Sequence, residues 1–162
     1  MPKIKILYCG KCNKFVNANI TSSIQTHKVF NEEMKTEYYV CPNCYKELYD
    51  ETQDSKTLNM LYDIYRKNHN LLSPKQIKEI RNMYDLSQAE FSKLLGWGEK
   101  TICRYEGGSI QDNSHNDLLV LLKEAYVMNL YIKNKKNQIN EKTYNKILKV
   151  LNNSNTQKRA AY

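Results

Sequence analysis

The chain of 162 residues has no run of about 18 apolar residues, so a membrane-spanning helix is not expected. Met1–Tyr8 lacks the apolar core of a secretion signal, and no small-residue cleavage site follows it. A cytoplasmic, reducing environment is therefore expected. Internal repeats and low-complexity tracts are missing too. Histidine is scarce and scattered at His27, His69 and His115. No nucleophile, base and orienting group stand at a recognisable motif spacing, and the His-x-Glu signature of zinc deaminases is absent. These absences speak against an enzyme and name no catalytic residue. Each histidine reads as an exposed or hydrogen-bonded structural residue.

What is present is a set of five cysteines, an odd number, four of them in two close pairs. Cys9-Gly10-Lys11-Cys12 and Cys41-Pro42-Asn43-Cys44 are C-x2-C knuckles, in which two intervening residues let the chain turn so that both sulfurs face one ion. Two such turns supply four thiolates in a tetrahedron, the donor set of a structural Zn2+, one per chain. Four thiolates leave no open position for a reacting water, so the metal is read as structural. Cys103 has no partner nearby in sequence and reads as a helix filler. The 28 residues between Cys12 and Cys41 hold two or three short antiparallel strands, with Ala18, Ile20, Ser22 and Ile24 on one side and a turn at Asn31-Glu32-Glu33.

Charge divides the chain. Residues 73–162 carry 15 Lys and Arg against 9 Asp and Glu, and residues 1–72 carry 10 against 8. Four thiolates and one Zn2+ bring the front half to about neutral. The basic excess, which suits a polyanion, then lies in the back half. Between the halves, Leu58, Leu61, Tyr62 and Tyr65 fall on one helical face, preceded by a polar loop at Asp50–Ser55.

Five helices are expected after residue 72. Ser73-Pro74-Lys75-Gln76 and Ser87-Gln88-Ala89-Glu90 are capping boxes. The second opens a helix that buries Phe91, Leu94 and Leu95 and ends at Gly96-Trp97-Gly98. A short helix over Glu99–Glu106 follows, stopped by Gly107-Gly108. A fourth helix starts at Ser114 with Asp117 and its pattern continues through Ile132. A fifth covers Glu141–Leu151, and a frayed tail runs from Asn152 to Tyr162.

In the short helix, Ile102 and Tyr105 are three apart and must face inward. That leaves Glu99, Lys100, Cys103 and Arg104 outward. A tight turn followed by such a helix is the geometry that enters the major groove, where Lys100 and Arg104 can donate to guanine O6 and N7. Glu99 accepts from cytosine N4 or orients its basic neighbours. Gln88 and Thr101 stand where phosphate contacts are made. The competing view is a three-helix protein-interaction module with a solvated basic face.

The segment SQAEFSKLLGWGEKTICRYEGG resembles the Xre/Cro-type helix-turn-helix family. Taken with the paired cysteines, Leu71-Leu72-Ser73-Pro74, Ser87-Gln88, Gly98-Glu99-Lys100-Thr101 and Arg104-Tyr105-Glu106 resemble the MqsA/YgiT-type zinc-finger and helix-turn-helix antitoxins over roughly residues 6–125. The resemblance implies an antitoxin of a type II toxin–antitoxin pair. Its zinc domain would bind the cognate toxin, and its helical domain would dimerise on a palindromic operator in double-stranded DNA and repress its own operon. Cys9, Cys12, Cys41 and Cys44 match the family's zinc ligands, and Arg104 its base-reading arginine. Lys100 stands where MqsA has Asn, a departure that bears on which operator is read. The alternative is a zinc-stabilised helix-turn-helix regulator without a toxin.

The expected fold class is thus α+β: a small zinc-bound, β-rich domain (1–48), a helical connector (49–72) and an all-α, five-helix Xre/Cro-type domain. The last comprises the helix-turn-helix (73–133) and a C-terminal helical extension (134–162).

Overall fold

The computed structural model describes residues 4–28 and 30–159. The backbone groups into two units, Met1–Asn68 and His69–Tyr162. The first is built on an antiparallel sheet and the second is helical, giving an α+β chain.

The sheet runs β1 (Ile4–Cys9), β2 (Lys14–His27), β3 (Glu32–Val40) and β4 (Glu47–Leu48), in that spatial order and antiparallel throughout. The strands between the cysteine pairs are longer than expected. β2 has 14 residues and β3 has 9, and they are joined where Asn31 turns left-handed (φ 52°) and its N–H bonds the His27 carbonyl at 2.7 Å. The hairpin buries different faces at its two ends. Near the cysteines, Val16, Ala18 and Tyr39 are buried with Leu48. Toward the tip, Met34 and Thr36, which point to the other face, are buried, whereas Ile24 is 76% exposed. Ala18, Ile20, Ser22 and Ile24 share one face of β2 as expected, and that face is buried at Ala18 but exposed at Ser22 and Ile24.

A helix, α1 (Glu51–Asn68), packs on β3. It corrects the expected loop at Asp50–Ser55. The Asp50 carboxylate accepts from the Gln53 N–H at 2.9 Å and pairs with Lys5, so this polar stretch is a capped first turn. Tyr62 and Tyr65 bring their rings within 5.6 and 4.9 Å of Phe30, and Leu61 is buried, but Leu58 stays 40% exposed. Because it packs on the sheet, this helix belongs to the first unit, not to a connector.

Among the described residues the second unit has six helices where five were expected: α2 (Pro74–Met83), α3 (Gln88–Leu95), α4 (Thr101–Glu106), α5 (Asn113–Leu121), α6 (Ala125–Asn134) and α7 (Glu141–Arg159). Both capping boxes form, with each serine accepting from the third helical N–H and each Gln76 or Glu90 side chain returning to the serine N–H. α5 starts earlier than expected because Asp112, not Ser114, caps it, accepting from the His115 N–H at 2.8 Å. The apolar pattern through Ile132 is broken by a turn at residues 122–124, so it spans two helices. The expected frayed tail is instead helical backbone as far as Arg159, and Ala160–Tyr162 lie outside the described residues. The core joins all six helices: Ile77, Phe91, Ile102, Leu119, Met128 and Ile147 are fully buried.

Candidate functional site

The two knuckles lie at one end of the sheet. β1 ends at Cys9, which pairs with Lys14 at the start of β2, and β3 runs into Cys41 one residue past Val40, which pairs with Asn19. Each knuckle is closed by a left-handed residue directly after its second cysteine, Asn13 (φ 51°) and Tyr45 (φ 57°). Asparagine tolerates that conformation; tyrosine adopts it only under constraint. The Tyr45 N–H bonds the Cys41 carbonyl, and the Cys41 N–H bonds the Lys46 carbonyl, both at 2.9 Å.

The four sulfurs lie within 4.8 Å of one another, with Cys9 to Cys44 at 3.6 Å and Cys12 to Cys41 at 3.8 Å. A tetrahedron with metal–sulfur bonds of about 2.3 Å has edges of about 3.8 Å. The set therefore fits one tetrahedral metal ion. Without a metal, Cys12 and Cys41 are driven in opposite directions. Burial raises Cys41, but the N–H groups of Asn43 and Cys44 overcome it and hold this thiol down to about 6. Cys12 is pushed up to about 12 by its hydrogen bond to Cys44, by burial and by its contacts with Cys9 and Cys41. A divalent cation removes that conflict by holding all four as thiolates.

In the helical unit, Gly96 ends α3 in the left-handed conformation (φ 74°), and the Trp97 N–H returns to the Ser92 carbonyl at 2.9 Å. The second helix begins at Thr101, two residues later than expected, after a turn in which the Thr101 N–H bonds the Gly98 carbonyl. Ile102 and Tyr105 face the core, while Glu99, Lys100, Cys103 and Arg104 are exposed together. Thr101, expected to stand at a phosphate, is only 6% exposed, with its hydroxyl close to Gly98. Gln88 stands at the start of α3 with its amide already donated to Glu106 at 2.8 Å.

That bond belongs to a brace among the first three helices of the unit. Arg81 on α2 grips Glu106 at the end of α4 through two bonds of 2.6 and 3.0 Å, and donates a third, of 2.7 Å, to the Leu86 carbonyl. Burial works to raise Glu106, but Arg81 and Gln88 hold its carboxyl below the usual range. A second brace joins the turn to α5. Trp97 stacks on His115 with ring centres 3.8 Å apart, and the His115 Nδ1 lies 2.7 Å from the Tyr105 hydroxyl.

The family model described as the antitoxin component of bacterial toxin–antitoxin system, MqsA, matches residues 4–127, spanning both the knuckles and the helix pair. The chain belongs to the MqsA antitoxin family. No individual curated protein matches it. Among the described residues, no helix is long and apolar enough to cross a membrane. The match ends inside α6, yet Ile132, Ile147 and Leu151, beyond it, are buried in the helical core of this MqsA-family chain.

The structure brings Cys9, Cys12, Cys41 and Cys44 together, and sets Glu99, Lys100 and Arg104 on one exposed surface. Reading the sequence missed both braces. Arg81 and Glu106 are 25 residues apart and carry no local motif. The only clue to the Trp97–His115 stack was a tryptophan between two glycines of a tight turn.

Proposed function

We propose that the chain is the antitoxin of a type II pair that represses its own operon as a homodimer and holds its toxin through the zinc-bearing unit. Cys9, Cys12, Cys41 and Cys44 hold a structural Zn2+, the cation best matched to four thiolates in a closed tetrahedron. Lys100 and Arg104 read base edges, with Glu99 beside Lys100 and Gln88 at the neighbouring backbone. The observation that carries the DNA half is the sidedness of α4. Ile102 and Tyr105 anchor it, Arg81 clamps its end, and its cationic pair is left outward. A helix presented so rigidly suits the major groove.

The toxin half is supported by a row of exposed apolar residues on the first unit. Ile4, Ile6 and Tyr8 alternate along β1, and Phe15 pairs directly with Tyr8 on the same face, its ring 5.4 Å away. An apolar row of this kind, 51–71% exposed, is the usual mark of a surface that meets another protein.

The test co-expresses the chain with the product of the adjacent gene and measures gel shifts on the upstream DNA. Co-purification, with toxicity of that product alone, supports the antitoxin. A specific gel shift without any toxic partner leaves the stand-alone regulator. Chelation that releases the partner but keeps the gel shift assigns the two tasks to the two units.

A further inference from the structure

The helical unit holds a cleft of about 690 Å³ that shares only Glu99 with the proposed DNA-reading surface. Its volume falls within the range of small-molecule sites. One wall is α3 and the turn after it, with Lys93, Leu94, Trp97 and Glu99. The other is the loop into α7 with the first turn of that helix, Ile139 to Thr143. The second wall lies outside the span matched by the antitoxin family.

The walls are tied at one end, and α3 is anchored to α6 at the other. The Lys146 ammonium of α7 sits 3.6 Å from Glu90 in the first turn of α3 and from Asp85 in the turn before it. At the far end the Tyr131 hydroxyl donates to the Leu94 carbonyl and accepts from Lys135. The cleft is therefore a fixed gap between braced elements.

Its polar lining points to an anion. Thr143 is only 9% exposed, and among the described residues its hydroxyl and its N–H have no hydrogen-bond partner. Its neighbours in the first turn of α7 are satisfied: Asn140 accepts from the Lys142 N–H through its side chain and from the Tyr144 N–H through its carbonyl. Two unmet donors on one nearly buried residue, at the positive end of a 19-residue helix, favour a carboxylate or phosphate. Lys93 and Lys142 add positive charge to the lining. Of the two carboxylates there, Glu90 is already engaged by Ser87 and Lys146, leaving Glu99 at the exposed edge. Leu94, Trp97 and Ile139 supply an apolar surface beside the donors.

We infer that this cleft binds a small anion with a flat apolar body, of the aromatic carboxylate class. Its carboxylate meets Thr143, Lys142 and Lys93, and its ring lies against Trp97 and Ile139. Because Trp97 and Glu99 border α4, occupancy alters the setting of the reading helix. That consequence, but not the site, rests on the proposed DNA binding.

The experiment titrates the isotope-labelled full chain with benzoate, and in parallel with inorganic phosphate, by amide NMR. Trp97 is the sole tryptophan, so its indole N–H gives one assigned signal. Benzoate is expected to shift that signal and the Thr143 amide together and saturably. Lys142→Gln and Thr143→Val should each weaken binding about tenfold, and Thr143→Ser should restore it. No saturable shift up to about 10 mM benzoate, a range that reaches weak millimolar ligands, overturns the site. Equal affinity in Lys142→Gln and Thr143→Val overturns it as well. Phosphate binding as tightly as benzoate, with Trp97 unmoved, overturns the ligand class. Benzoate binding in a chain that never shifts DNA leaves the site standing and removes the operator reading instead.

Discussion

The two units reach stability by different routes. Among the described residues the sheet unit's cysteine-end core has six buried members, two of them cysteines, whereas the helical core has sixteen, drawn from all six helices. A core that small does little to offset the chain entropy of ordering four strands, and a cation held by the four cysteines would supply what apolar burial does not. The helical unit needs no such help. It relies on two capping boxes, a fully buried Phe91 and a buried ion pair.

The largest effect should therefore come from removing the metal. Chelation under reducing conditions is expected to collapse the amide spectrum of residues 4–68, α1 included, and to leave that of 69–159 unchanged. Binding of structural zinc is worth on the order of 10 kcal/mol. An intact sheet spectrum after chelation would erase the contrast between the units.

Next comes Arg81→Ala, which strands Glu106 with its side chain 6% exposed. A loss of about 3–5 kcal/mol in the urea transition of the helical unit is expected. A double change, Arg81→Met with Glu106→Leu, should recover most of it. A loss below about 1 kcal/mol would mean that water reaches the pair and that the brace is only a surface contact. Arg104→Ala, by contrast, should leave that transition untouched and cost about 1–3 kcal/mol in operator binding at one base position, relaxing preference there. Uniform weakening on every DNA sequence would make Arg104 a phosphate contact.

The smallest effects concern the caps. Ser87→Ala should cost about 1 kcal/mol. It should also weaken the acid dependence of the unit. Glu90 is held below its ordinary value, first by the Ser87 N–H and hydroxyl, and Glu106 by Arg81 and Gln88. Carboxyls depressed in the folded state contribute stability that is complete above their unfolded value, about 4.3, and is lost as pH falls through the lower folded value. Urea midpoints of the wild type should be flat from pH 7 to about 5 and then fall. In Ser87→Ala the fall should be shallower.

How much of this was legible beforehand follows the range of the signal. The knuckles, both capping boxes, the glycine turn and the inward pair Ile102 and Tyr105 are written within a few residues, and they appear where the spacing put them. The cap of α5 was missed because Ser114 and Asp117 imitate a start that Asp112 makes two residues earlier. The polar run that opens α1 looked like a loop because the helix shows apolar residues only farther along. Arg81 with Glu106, the Trp97–His115 stack and the cleft beside α3 depend on pairs many residues apart, and no local pattern encodes them. The burial of Thr101 escaped notice for a related reason. Its exposure depends on how closely the Gly98 turn approaches, and that distance is set by the fold.

The changeover of buried faces along the β2–β3 hairpin has a further consequence for how the sheet forms. In a strand pair covered on one side only, a slip of one residue turns a single set of side chains outward. Here Ala18 is covered on one side and Met34 on the other, in strands that share one unbroken register. A slip of one residue would misplace both ends at once, because successive side chains alternate between the faces. The hairpin thus checks its own alignment twice, at the cysteine cluster and at α1, and a mispaired chain finds neither partner waiting.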